Sequence, residues 1–118
     1  MSSITVTSTL PAAHEVNITK GNTWDDDFTI EDETGSPVSL LGSTIECAIK
    51  LTPTGSNAQF ISTSDGITIT GGSNNIINIF KVISVAVGRY FYDILVTFPN
   101  GKKRTYVGGI MNVLQNIT

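Results

Sequence analysis

Apolar and polar residues alternate with a period of two along most of this chain. The clearest run covers residues 88–113. Tyr90, Tyr92, Ile94, Val96 and Phe98 fall on one side of an extended strand, and Phe91, Asp93, Leu95 and Thr97 on the other. Pro99-Asn100-Gly101 interrupts it with residues that preset or tolerate turn dihedrals, so residues 102–113 are predicted to return as the second strand of a long hairpin. Upstream, residues 24–30 place Trp24, Asp26, Phe28 and Ile30 on one face and Asp25, Asp27 and Thr29 on the other. A buried carboxylate is costly without partners, so a bulge that re-aims Asp26 is expected near the start of that strand. Residues 44–51 turn Ile45, Cys47, Ile49 and Leu51 inward. Shorter strands are predicted over 14–19 and over 58–62 around Phe60, with 67–70 and 75–80 pairing as a hairpin. Val38, Leu40 and Leu41 are expected to touch the core edge, and 81–87 to cross over with room for one helical turn. Residues 2–9 also alternate, with Ile4 and Val6 on one face, until Pro11 closes the run.

About eight strands with turn chemistry between them, and no helix of ordinary length, predict an all-β fold, an antiparallel sandwich or barrel. Gly88-Arg89-Tyr90 narrows this. A Gly-x-Tyr at the start of the penultimate strand is a feature of immunoglobulin-like sandwiches, where the hydroxyl ties down the preceding corner. At 118 residues the chain suits one domain. Residues 14–118 are expected to form it, with 1–13 an N-terminal arm or an extra edge strand.

Composition adds a surface with few charges. Charged residues make up 14% of the chain, against about 25% in a typical soluble domain. Ser, Thr and Asn supply the polarity, which suits close packing beside other copies. The net charge is −3, and the one basic run is Lys102-Lys103-Arg104 at the hairpin tip, so a nucleic-acid partner is not expected. The single cysteine, Cys47, excludes an internal disulfide and sits in register with buried aliphatics. The N-terminus lacks a basic start and a long apolar run, and no stretch reaches the ~20 apolar residues of a helical span. Synthesis in a cytoplasm, without a membrane partner, is the expectation.

Candidate chemistry is sparse. Asp25-Asp26-Asp27, with Asp32 and Glu33, is the densest acidic group, but adjacent strand residues point to opposite faces and the spacing fails the EF-hand pattern. His14 has no second His or Cys beside it for zinc, and no serine lies in a nucleophile elbow. No cofactor and no enzymatic activity are expected. Aromatics on alternating strands are read as core, except Phe91 and Tyr106, whose assigned faces predict exposure. The residues expected to make protein contacts are Ile4 and Val6 in the arm, Asp25 and Asp27 on the strand edge, and Lys102, Lys103, Arg104 and Tyr106 on the hairpin.

An ordered set of segments runs along residues 16–118: Ile18-Thr19-Lys20-Gly21-Asn22-Thr23-Trp24, Phe28-Thr29-Ile30-Glu31-Asp32, Gly35-Ser36-Pro37-Val38-Ser39-Leu40, Thr44-Ile45-Glu46-Cys47-Ala48-Ile49, Gly88-Arg89-Tyr90-Phe91-Tyr92-Asp93-Ile94, Asn100-Gly101-Lys102 and Gly109-Ile110-Met111-Asn112-Val113. This set resembles the small immunoglobulin-like domains of tailed-phage virion proteins. It is similar to the N-terminal domain of baseplate upper proteins and to short accessory proteins of tails and heads. The resemblance implies a non-catalytic subunit in a virion, present in several copies, with capsid, tail or fibre proteins as partners. Baseplate upper proteins carry a further region toward the receptor-binding protein, and this chain ends with the sandwich, which shifts the expectation toward a small accessory or decoration subunit. The competing expectation from another class is a carbohydrate-binding or adhesion module that recognises a host glycan through exposed aromatics with a nearby Asp or Asn.

Overall fold

The computed structural model describes residues 2–7 and 11–117. In chain order the strands are β1 (Ser2–Val6), β2 (Ala12–Ala13), β3 (Val16–Thr19), β4 (Thr23–Ile30), β5 (Thr44–Lys50), β6 (Asn57–Ser62), β7 (Ile67–Thr70), β8 (Ile76–Val82), β9 (Gly88–Thr97) and β10 (Lys103–Leu114). They form two layers. One sheet has the order β1-β4-β8-β7, and the other has β2-β10-β9-β5-β6, with β3 also on β10. The chain is all-β with an immunoglobulin-like sandwich arrangement.

The long hairpin is β9 and β10, closed by a turn in which Gly101 N–H donates to Phe98 O and Phe98 N–H to Lys102 O. Gly101 takes φ 88°, a left-handed conformation that favours glycine. The Asn100 side chain accepts from Lys102 N–H at 2.9 Å and fixes the same turn. The expected inner row of β9 (Tyr90, Tyr92, Ile94, Val96) is buried as a unit. Tyr90 donates its hydroxyl to Ala86 O at 2.7 Å, which ties the corner between β8 and β9 to the strand that follows.

Hairpin and central pairings are antiparallel, but the N-terminal strands add in parallel: β1 on β4, and β2 and β3 on β10. A parallel pair needs a crossover. Here β2 and β3 supply it by running along the other sheet between β1 and β4. The N-terminal segment therefore edges both layers in turn. Residues 1, 8–10 and 118 lie outside the described residues; of the predicted extension of the first strand to Thr9, Thr7 lies beyond the end of β1 and residues 8 and 9 are among those not described.

Several expected inward positions turn out instead. Leu51 follows the last residue of β5 and is exposed in the loop, and Leu41 is exposed while its neighbour Leu40 fills the core. Phe60 is exposed because Ile61, the next residue, takes the inward position of β6. The crossover from β8 to β9 holds no helical turn. It is held by Gln59, whose amide donates to Val82 O at 2.9 Å and accepts from Ser84 N–H at 3.1 Å, joining the two sheets.

Candidate functional site

Three surface regions carry the chain's polar and aromatic side chains. The first surrounds the start of β4. Asp26 points inward as its alternation dictates, and the β4–β8 register runs without a shift from Thr23 to Thr29, so the expected bulge is absent. Partners solve the burial problem instead. Trp24, two residues back on the same face, donates its indole N–H to Asp26 Oδ2 at 2.6 Å, and His14 Nε2 lies 3.6 Å from the same oxygen. His14 packs edge-on against Phe28, and Trp24 against Tyr92. The Tyr92 hydroxyl donates to His14 O at 2.6 Å. Burial raises the phenol's pKa well above its ordinary value, with the Cys47 and Asp26 charges adding to it. This largely buried polar knot ties the link between β2 and β3 to β4 and β9. A polar cleft of about 330 Å³ opens beside it, lined by Glu15, Asn17 and Asp25 among others. Among the described residues no group of three or more His, Cys, Asp or Glu is placed to hold a metal ion.

Asp25 and Asp27 lie on the outer face of β4, as alternation predicted, but β4 is not the edge strand expected: β1 and β8 flank it, and Asp27 stands between Ser3 and Asn78. Asp27 accepts from Asn78 Nδ2 at 2.6 Å. Asp25 stands directly across from Phe80, and Thr23 across from Val82. Phe80 is 62% exposed and Val82 is exposed beside it. Both escaped the sequence reading, although Ile77 and Ile79 on the inner face fix Phe80 as outward by alternation. In the loop after β4, Asp32 accepts from the Thr34 hydroxyl and from the Thr34 and Ser36 N–H groups, which lower its carboxyl pKa.

The second region is the hairpin tip. Lys102, Arg104, Phe98, Pro99, Asn100, Tyr106 and Val38 line a groove of about 470 Å³. Tyr106 is not exposed as expected: it is 3% exposed. The register shifts between Thr105 and Val107, a bulge that turns both Tyr106 and Val107 inward. Alternation carried across that point assigns the wrong face. The buried ring lies edge-on to Phe98 at 6.5 Å and carries the Arg104 guanidinium 5.9 Å above its centroid. Lys102 and Lys103 are exposed and Arg104 half-buried. None of the three makes an ion pair among the described residues.

The third region is the outer face of the second sheet. Ala48, Lys50, Pro53, Phe91, Asp93 and Ile110 line a shallow groove of about 280 Å³. Phe91 is 38% exposed, as predicted, and faces Lys50 and Ile110 across the sheet. Asp93 lies between Ala48 and Gly108. Behind this face Cys47 is fully buried, and burial, with the Asp93 charge, raises its thiol pKa well above the ordinary value.

The arm residues are placed differently from the expectation that both meet a neighbour. Val6 is 1% exposed, packed in this chain's own core, so its side chain is not available as a contact. Ile4 is half-buried and packs against the same core.

No family model and no curated protein matches this chain. Among solved structures it is similar to CopC from Methylosinus trichosporium OB3b, with a TM-score of 0.46, 15% identity and coverage of 88% of this chain and 89% of that one. It is also similar to part of a family 123 glycoside hydrolase from Clostridium perfringens, with a TM-score of 0.37, 16% identity and coverage of 89% of this chain but 23% of that one. At these TM-scores and identities neither likeness carries an argument about function.

Proposed function

We propose that this chain is a non-enzymatic structural subunit of a tailed-phage virion, an accessory, decoration or adaptor domain that docks on capsid or tail. Its work is assembly. The observation that carries the reading is the outward placement of Phe60, Phe80, Val82 and Phe91 on paired strands, in a chain with few charges. Apolar and aromatic side chains held by a sheet lose little conformational freedom on docking, and such residues form the centres of protein interfaces. The ordered resemblance along residues 16–118 supports the virion as the setting. The experiment is co-sedimentation of purified protein with virions from the lysate that encodes it, followed by imaging of the particles. Saturable binding with density at a symmetry-repeated position is expected. Protein that stays in the supernatant at saturating concentration overturns the reading.

The groove around Phe91 and Asp93 favours a second reading, a glycan-binding module. An aromatic face can stack on the C–H face of a sugar ring while a carboxylate accepts from its hydroxyls. A glycan array decides between the two. Binding that is lost in both Phe91→Ala and Asp93→Ala favours the glycan reading. Tyr106, buried, has no part in that test.

A further inference from the structure

The three regions are not equivalent in charge, and two of them match each other. The hairpin-tip groove is cationic with aromatic walls. Arg104 is held over Tyr106, Phe98 stands edge-on to that ring, and Lys102 lines the same opening. Its cations meet no carboxylate of their own chain among the described residues, although the acidic loop after β4 leads directly to Val38 on the groove wall. The outer face at the start of β4 has the opposite character. There the Asp25 carboxylate stands across from the exposed Phe80 ring, with Val82 next to it and Asp27 further along the strand. The nearby Lys81 is neutralised by Asp65.

These two surfaces cannot meet within one molecule. Val38, on the groove wall, donates its N–H to Ile30 O at the far end of β4. Asp25 lies five residues earlier, roughly 17 Å along the strand, on the outer face of the sheet. A second copy can bring them together.

We infer that the Lys102–Arg104–Phe98 groove of one copy docks on the Asp25–Phe80–Val82 face of another, a tip-to-face contact between copies of this chain. It deepens the assembly reading by naming the self-contact that would repeat the subunit. Charge complementarity supplies steering and register, and Phe80 entering beside Phe98 supplies apolar burial. The contact uses a different patch on each partner, so it closes as a dimer where two copies satisfy it reciprocally and otherwise continues into a ring or an open row.

The test uses purified protein without particles, so its failure leaves virion docking to its own experiment. Sedimentation velocity is run over a wide concentration range at low and high salt. The wild type is expected to self-associate, as a reciprocal dimer or as larger species, and salt to weaken the association, because the Debye length shrinks to ~3 Å at 1 M. A tip-deficient variant, Lys102→Ala with Arg104→Ala, and a face-deficient variant, Asp25→Ala with Phe80→Ala, are each expected to associate at least about tenfold more weakly. Circular dichroism and urea midpoints check that both fold. Mixing the two variants is the decisive arm. Each retains the half the other lacks, so the mixture is expected to form a heterodimer and nothing larger. A wild type that stays monomeric at every concentration overturns the inference, as does association that neither variant weakens or a mixture that stays monomeric. A monomeric wild type whose tip binds an acidic peptide or an anionic oligosaccharide also overturns it and assigns the groove to that ligand.

Discussion

Asp26 shows how one residue's chemistry is settled by its neighbours. An inward carboxylate is tolerated because Trp24, at i−2 on the same face, offers an indole N–H, and because the link between β2 and β3 brings His14 to the same oxygen. Removing the acceptor leaves a buried donor unpaired, so Asp26→Ala is expected to lose about 2–3 kcal/mol. Asp26→Asn keeps an acceptor for Trp24 and should lose less, as read from urea unfolding followed by Trp24 fluorescence. Tyr90→Phe removes the hydroxyl that holds Ala86 O and is expected to lose about 1 kcal/mol in the same assay, with the ring's packing retained. The alternation of β4 predicted that Asp26 faces inward. His14 as its neighbour was not legible, because the two meet only after the chain has crossed between sheets. Cys47 and Tyr92 set the alkaline behaviour. Both hold their protons more tightly folded than unfolded, chiefly through burial. Their contribution is fully present below the ordinary thiol and phenol values of 9.0 and 10.0 and is lost as pH rises above them, because the unfolded chain gives up its protons first. Urea midpoints should therefore fall at alkaline pH, and Cys47 should resist alkylation under native conditions and react once urea unfolds the chain.

At the scale of the element, β10 is the strand with most demands on it. It pairs with β9 on one side and with β2 and β3 on the other. Gly109 lets this happen: a Cβ there would stand 2.2 Å from the His14 carbonyl oxygen, a backbone atom that cannot yield without moving the link that leads into β3. Gly109→Ala is expected to destabilise by at least about 2 kcal/mol, toward the upper end of overpacking costs, and to loosen amide protection in β3 first. The β9–β10 hairpin was legible from sequence because its information is local: alternation, then Asn-Gly, then alternation again. The bulge at Tyr106 was not, since an extra residue leaves no mark in composition. β1 was legible as a strand but not in its placement, because parallel pairing across an intervening segment has no local signal. With Val6 fully buried against β4, truncation of residues 1–7 is expected to lower the urea midpoint by the equivalent of about 2 kcal/mol. An unchanged midpoint would show that β1 adds nothing to the fold.

At the scale of the molecule, the third strand and the last lie side by side: Val16 pairs with Met111 and Thr19 with Leu114. Few of the pairings between strands are local, so refolding after dilution from urea is expected in the millisecond-to-second range by stopped-flow fluorescence of Trp24. Sequence by itself determined the all-β class, the inner rows of β4, β5 and β9, the tyrosine tie at the corner before β9 and the cationic hairpin tip. Each depends on side chains one to four residues apart, a distance at which the period of an extended strand holds. Tertiary structure decided which surfaces exist. It turned Tyr106 into the floor beneath Arg104, sent Phe60 outward, took Val6 into the core and put the cationic groove and the Asp25–Phe80 face too far apart to meet in one copy. Those outcomes depend on register, bulges and the path of the chain between the two sheets, which are fixed by burial summed over the whole molecule and not by any one stretch of residues.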